Sequence, residues 1–330
     1  MRAAIETVDL RKTYGKTVLA LDGVSFAVEA GTVFGLLGPN GAGKTTVVRV
    51  LTTTLRPDGG IAMVLGHDVA KEPALVRSLI GLAGQYAAVD ENLTARENLW
   101  MVGRLNHLSR SQAATQATRL LDQFGLSDVG NRPMKTYSGG MRRRIDLAAA
   151  LVASPPVLFL DEPTTGLDPQ SRMDLWAVIE DLVSGGTTVL LTTQYLEEAD
   201  RLASQIAVVD HGKLIAEGTP STLKARLGST VLHLGLVDGI TAERAGKLLD
   251  SVSGKPSIVE GAGVALHIDD APRQVAEALR VLEANGIIVA SVAVRESSLD
   301  DVFLSLTGHH AADASAADAT DSTVDDGGDR

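Results

Sequence analysis

No cysteine occurs among the 330 residues. Disulfides, thiolate catalysis and cysteine-held metals are therefore excluded. Aromatic residues are scarce as well, 3% of a chain that is 45% hydrophobic, so Leu, Val, Ile and Ala must fill its core. No apolar run approaches the ~18 residues of a membrane span, and MRAAIETVDL lacks the apolar stretch of a secretory signal. The expectation is a soluble, cytoplasmic protein that reaches a membrane only through a partner. Positive charge is in deficit: 30 Lys and Arg face 41 Asp and Glu, a net −11. That argues against a general nucleic-acid binder. The deficit is uneven, since Gly308 to Arg330 holds six Asp and one Arg.

Up to about Leu227 the chain alternates short apolar strands with longer helical stretches. TVFGLL (Thr32 to Leu37), VLFL (Val157 to Leu160) and TTVLLTT (Thr187 to Thr193) read as strands of a sheet covered on both faces. Residues from about 87 to 151 read as mostly helical, a subdomain inserted into an α/β core; SQAATQATRLLDQFG from Ser111 has apolar residues at helical spacing and ends at Gly125, a C-cap signal. A second module, 228–307, reads strand, helix, two strands, helix, strand, which is the β-α-β-β-α-β order of ferredoxin-like folds. A short helix at SSLDDVFLSLTG follows, its Leu299, Val302 and Phe303 forming an apolar face that packs on the module. Residues 308–330 have one Val and no larger apolar side chain, so burial cannot offset their ordering entropy and they read as a disordered acidic tail.

Two motifs carry chemistry. GPNGAGKTT, Gly38 through Pro39, Asn40, Gly41, Ala42 and Gly43 to Lys44, Thr45 and Thr46, follows a strand and opens a helix. That is the setting a phosphate-cradling loop requires. The glycines let the backbone close on phosphates, main-chain N–H groups supply partial positive charge, Lys44 reaches the β and γ phosphates, and the Thr45 hydroxyl binds Mg²⁺. VLFLDEPTTGLD then delivers Asp161 and Glu162 to the carboxyl end of a strand, where α/β sheets bind ligands. Adjacent strand residues point to opposite faces, so Asp161 is read as the metal-shell residue and Glu162 as the general base. A nucleotide and Mg²⁺ are the implied ligands.

Between these motifs lies TYSGGMRRRIDLAAALV, and the order of cradle, Gln85, SGG–helix, DE after a strand and GLD resembles that of the ATP-binding subunits of ABC transporters over residues 1–227. The resemblance makes the nucleotide ATP and implies a RecA-like core with an antiparallel β part and a head-to-tail homodimer. In that dimer Ser138, Gly139 and Gly140 of one subunit cover the γ-phosphate held by Lys44 of the other. It also implies a Gln85 that touches Mg²⁺ and relays closure to membrane permease subunits, an Asp168 at the dimer seam, and a Tyr14 that stacks on adenine. Tyr14 reads equally as a surface residue in a turn. Met141 and Arg142 stand where Gln is commoner in the signature. The Arg142–Arg144 run reads as a solvated helix face. TTQYLEEAD, YSGGMRRRIDLA and SLDDVFLSLTG together narrow the resemblance to daunorubicin-resistance ATPases, which implies export of a drug, antibiotic or lipid-like molecule. The alternative is a soluble ABC-type ATPase acting on DNA or ribosomes. Gln194 stands where most ABC ATPases have His. It keeps an N–H donor and adds an acceptor but has no titration near pH 6.5, so it is expected to position water rather than shuttle protons.

Overall fold

A computed structural model describes residues 3–15, 17–84, 89–227 and 230–307. The chain divides into two compact units, the second beginning at Pro220. The helix Pro220–Leu227 thus falls in the second unit, eight residues ahead of the boundary expected from composition. The tail from Gly308 onward lies outside the described residues.

The first unit holds two sheets. The six-stranded one runs Lys213–Gly218, Gln205–Asp210, Val33–Leu37, Thr188–Thr193, Val157–Asp161, Ile80–Ala83 from edge to edge. All of its pairings are parallel except that between Lys213–Gly218 and Gln205–Asp210. Val33–Leu37, Val157–Asp161 and Thr188–Thr193 are buried at every position, as parallel strands covered on both faces must be. Register sets the site: Leu37 lies beside Thr193, and Asp161 beside Thr192. Three loops therefore leave the same edge together.

The second sheet is antiparallel, ordered Val18–Glu29, Ala3–Tyr14, Gly59–Val64, His67–Asp68. Ile5, Leu10, Leu21 and Val24 from it share one core with Val47, Val50 and Leu51 of the helix Lys44–Leu51 and with Phe34, Phe159 and Leu190 of the parallel sheet. Aliphatic residues dominate that core, and two of the few aromatics, Phe26 and Phe34, stack with centroids 5.1 Å apart where the sheets meet. The inserted helical part comprises Ala95–Leu105, Arg110–Gln123 and Gly139–Ala150. Thr94 with Glu97, and Ser109 with Gln112, close the first two helices as capping boxes, satisfying otherwise orphaned N–H groups.

The second unit carries Thr230–Leu236, Ala242–Ser253, Ile258–Glu260, Gly263–Ile268, Ala271–Ala284 and Val289–Glu296 in the order strand, helix, two strands, helix, strand. Its four-stranded antiparallel sheet places Thr230–Leu236 between Gly263–Ile268 and Val289–Glu296. Leu232, Leu234, Leu249, Leu266, Ala278 and Leu282 form its core. The helix Leu299–Thr307 follows with Leu299, Val302 and Phe303 buried.

Candidate active site

The loop from Gly38 to Gly43 leaves the strand Val33–Leu37 and enters the helix at Lys44. Gly43 has φ 110°, and a Cβ there would lie 2.6 Å from the Ala20 carbonyl, so only glycine fits. Lys44 is 3% exposed. Its ammonium donates to the Gly38 carbonyl at 2.6 Å and to that of Pro39 at 3.1 Å, and lies 3.8 Å from Glu162 Oε1. Burial pulls the Lys44 ammonium below its ordinary pKa, while the Glu162 and Asp161 carboxylates oppose that shift. The loop carbonyls thus occupy the donors that phosphate oxygens would otherwise take.

Asp161 is the last residue of its strand. Its Oδ1 accepts from the Thr45 hydroxyl at 3.3 Å and from the Thr192 hydroxyl. A hydroxyl and a carboxylate side by side are hard oxygen donors, and such a pair fits Mg²⁺. Glu162 lies beyond the strand, with φ 50°. A left-handed conformation costs a non-glycine residue about 1–2 kcal/mol. The cost is offset by two bonds from the Glu162 amide, to the Thr192 carbonyl at 3.0 Å and hydroxyl at 3.1 Å. The two acids therefore diverge through a turn at Glu162, and not through strand alternation as the sequence suggested. Thr165 donates to Glu162 Oε2 at 3.4 Å.

A cleft of about 360 Å³ is lined by Tyr14, Val18, Leu19, Ala20, the loop from Pro39 to Thr46, and Glu162. Tyr14 thus stands at the mouth of the cradle, its hydroxyl 3.5 Å from Thr46 Oγ1. Gln194 directly follows the strand Thr188–Thr193, and its Oε1 is buried without a hydrogen-bond partner among the described residues. Gln85 lies outside the described residues.

The signature residues are held elsewhere. Ser138 caps the helix Gly139–Ala150 through the Met141 amide, and Ser138 and Gly139 are exposed and do not line the Lys44 cleft. A Cβ on Gly140 would lie 2.4 Å from Ser171 Oγ, so glycine permits close contact with the turn where Asp168 caps the helix Pro169–Ser184. Asp168 accepts from the Ser171 hydroxyl at 2.6 Å and amide at 3.0 Å, which hold its carboxyl below the usual range.

The arginine run is not a solvated face. Arg142 pairs with Glu91 at 2.7 Å and Arg144 with Asp174 at 3.7 Å. Arg143 is turned inward onto main-chain carbonyls, among them those of Asp161, Glu162 and Pro163. Sequence reasoning missed Arg143 and Thr192. The available signal for Thr192 was a Thr pair ending an otherwise aliphatic strand; nothing in the run of three arginines marks out Arg143.

A phosphate cradle, an adjacent hydroxyl–carboxylate pair and a buried acid, all at the carboxyl edge of a parallel sheet, define a nucleotide-hydrolysing ATPase. The sequence pattern of the ABC transporter family matches residues 21–165. The daunorubicin/doxorubicin resistance ATP-binding protein DrrA of Streptomyces peucetius is 54% identical, with 96% of each chain covered. The Nod factor export ATP-binding protein I of Paraburkholderia xenovorans is 39% identical over 94% of this chain and 99% of that one. The crystal structure of a nucleotide-free ATP-binding cassette from an ABC transporter superposes with a TM-score of 0.60 at 28% identity, covering 66% of this chain and 92% of that chain. The chain belongs to the ABC transporter ATP-binding subunits, in their daunorubicin-resistance branch. It is an ATP-binding protein and an ATPase. Subunits of this family dimerise and work with membrane permeases; among the described residues here, no helix is long and apolar enough to cross a membrane.

Proposed function

We propose that this chain powers an exporter, pairing as a homodimer around two ATP molecules on the cytoplasmic face of a membrane permease and driving efflux of a drug, antibiotic or lipid-like molecule. The supporting observation is the convergence of Lys44, Glu162 and the Thr45–Asp161 pair at one cleft. In this reading Lys44 leaves the loop carbonyls for the β and γ phosphates, and the Gly41–Thr46 amides cradle them. Tyr14 packs against the base. Thr45 and Asp161 hold Mg²⁺, with Gln85 as a further ligand; when bound, the ion neutralises phosphate charge. Glu162 accepts the proton of the attacking water, and the Gln194 amide oxygen accepts a hydrogen bond from the water's other O–H, orienting it. Ser138, Gly139 and Gly140 of the second copy cover the γ-phosphate, with Asp168 at the seam.

The export reading draws on relatives named for daunorubicin and linearmycin resistance and for Nod factor export. The alternative, action on DNA or ribosomes, draws no support from them. The test is a pull-down from detergent-solubilised membranes combined with phosphate release. Recovery of a permease, and at least a hundredfold loss of ATPase in Lys44→Ala, are expected. ATPase stimulated by DNA or ribosomes, with no permease recovered, would overturn the export reading.

A further inference from the structure

Arg143 carries a largely buried charge that lies outside the phosphate cradle. It sits near the start of the signature helix Gly139–Ala150, and among the described residues its hydrogen bonds all go to backbone. Nε donates to the Pro163 carbonyl at 2.6 Å. Nη2 donates to the Glu162 carbonyl at 3.1 Å and the Asp161 carbonyl at 3.3 Å, and Nη1 donates to the Gly84 carbonyl. Asp146, Glu198 and Asp161 are the acids whose charges favour it there. A guanidinium this buried is usually matched to a carboxylate fork; here four carbonyls replace it.

The pattern of acceptors is informative. Carbonyls of successive residues in a strand alternate in direction. Three consecutive carbonyls can meet one guanidinium only where the chain leaves the strand conformation, and Glu162 does so with φ 50°. The fourth acceptor, Gly84, follows the strand Ile80–Ala83 and precedes Gln85. One side chain from the signature helix therefore fastens both the turn that aims Glu162 and the exit of the strand leading to Gln85.

We propose that Arg143 is a positioning residue for ATP hydrolysis: it fixes the left-handed turn at Glu162 to the signature helix, so that the placement of that helix sets the direction of the Glu162 carboxylate. The proposal rests on Glu162 being the general base. It separates Arg143 from Arg142 and Arg144, each of which pairs with a surface carboxylate. Lysine has a single donor centre and cannot span four carbonyls, so the effect depends on the guanidinium shape as well as on charge.

The test measures kcat and KM for ATP on the full-length protein and on Arg143→Lys and Arg143→Gln, each alone and combined with Glu162→Gln, with thermal melts of every variant. Arg143→Gln is expected to lower kcat roughly ten- to hundredfold, the range for a misplaced catalytic group, with KM changed less than about threefold, and Arg143→Lys to recover part of the loss. In the Glu162→Gln background the Arg143→Gln change should lower the residual rate less than about twofold, because no base remains to misplace. Equal losses in both backgrounds, an unchanged kcat, or a kcat loss that follows a lowered melting temperature in both Arg143 variants would overturn the proposal. Normal turnover by Glu162→Gln alone would remove the base assignment and the proposal with it. Slow Glu162→Gln with additive Arg143 effects would remove the proposal only.

Discussion

Gln194 shows how much one residue can be read from a pattern and how much needs coordinates. Its position after a buried strand, and its departure from the usual His, are visible in the sequence. The buried Oε1 without a partner is visible only in the structure. A buried acceptor left unpaired costs about 1–3 kcal/mol, so the fold keeps it at some expense, and a water hydrogen at the γ-phosphate is the natural donor. Gln194→Ala is expected to slow hydrolysis roughly tenfold with little change in ATP affinity, a lower bound for losing one water-orienting group. Gln194→His should retain turnover and acquire an inflection in its pH–rate profile near pH 6–7 that the glutamine enzyme lacks. Unchanged turnover in the alanine variant would reduce Gln194 to a loop residue.

At the scale of elements, the helix Leu299–Thr307 has a polar anchor as well as the apolar face foreseen for it. Asp301 accepts both Nη groups of Arg295, at 2.7 and 2.8 Å, and is bonded by the Ser298 amide and hydroxyl at 2.8 and 2.9 Å. Arg295 also donates from Nε to His233 Nε2 at 2.9 Å. Burial pushes the Asp301 carboxyl up, but Arg295 and Ser298 outweigh it and hold the group below its ordinary value. The folded pKa is therefore lower than the unfolded one. The pair's contribution is complete above the unfolded value of about 4 and is lost as pH falls through the lower folded value. Asp301→Asn should destabilise the second unit by about 2 kcal/mol at pH 7, less than a fully buried pair because Arg295 is partly exposed. The gap from the wild type should narrow as pH is lowered below about 4. Urea unfolding followed by hydrogen exchange in Val289–Glu296 measures it; a gap that stays constant with pH would mean that the ion pair is not the cause.

Legibility in the sequence followed period and local chemistry. Strands such as Val157–Asp161 and the helix ending before Gly125 were readable because continuous apolar runs and a left-handed glycine cap act over a few residues. The cradle was readable because one contiguous loop makes it. The turn at Glu162, the Thr192 bonds that hold it and the inward Arg143 were not, since each depends on residues tens of positions apart meeting at a sheet edge. Pattern alone gives no sign of which arginine in a run of three faces inward.

At the scale of the whole molecule, the proposed dimer supplies the side of the nucleotide site opposite Lys44. Ser138 and Gly139 are exposed and absent from the Lys44 cleft; in the proposed head-to-tail dimer a second copy brings them to the γ-phosphate. Gly139 allows a probe, since a Cβ there meets nothing within 4 Å; because Gly139 also lines a pocket with Glu162, the variant's ATP binding is measured beside its oligomeric state. Glu162→Gln with Mg²⁺ and ATP is expected to run as a dimer in light scattering, because ATP is held and turned over slowly. Adding Gly139→Arg should leave it monomeric with ATP binding intact. Mixing Lys44→Ala with Gly139→Arg, each inactive alone, should restore turnover up to roughly a quarter of wild type: at most half of the pairs are mixed, each mixed pair has one intact site of two, and its one obstructed face weakens pairing. If the mixture stays inactive while both proteins are folded, either the two sites must fire together or the copies do not face each other in this way. A Glu162→Gln variant that remains monomeric with ATP would decide for the latter.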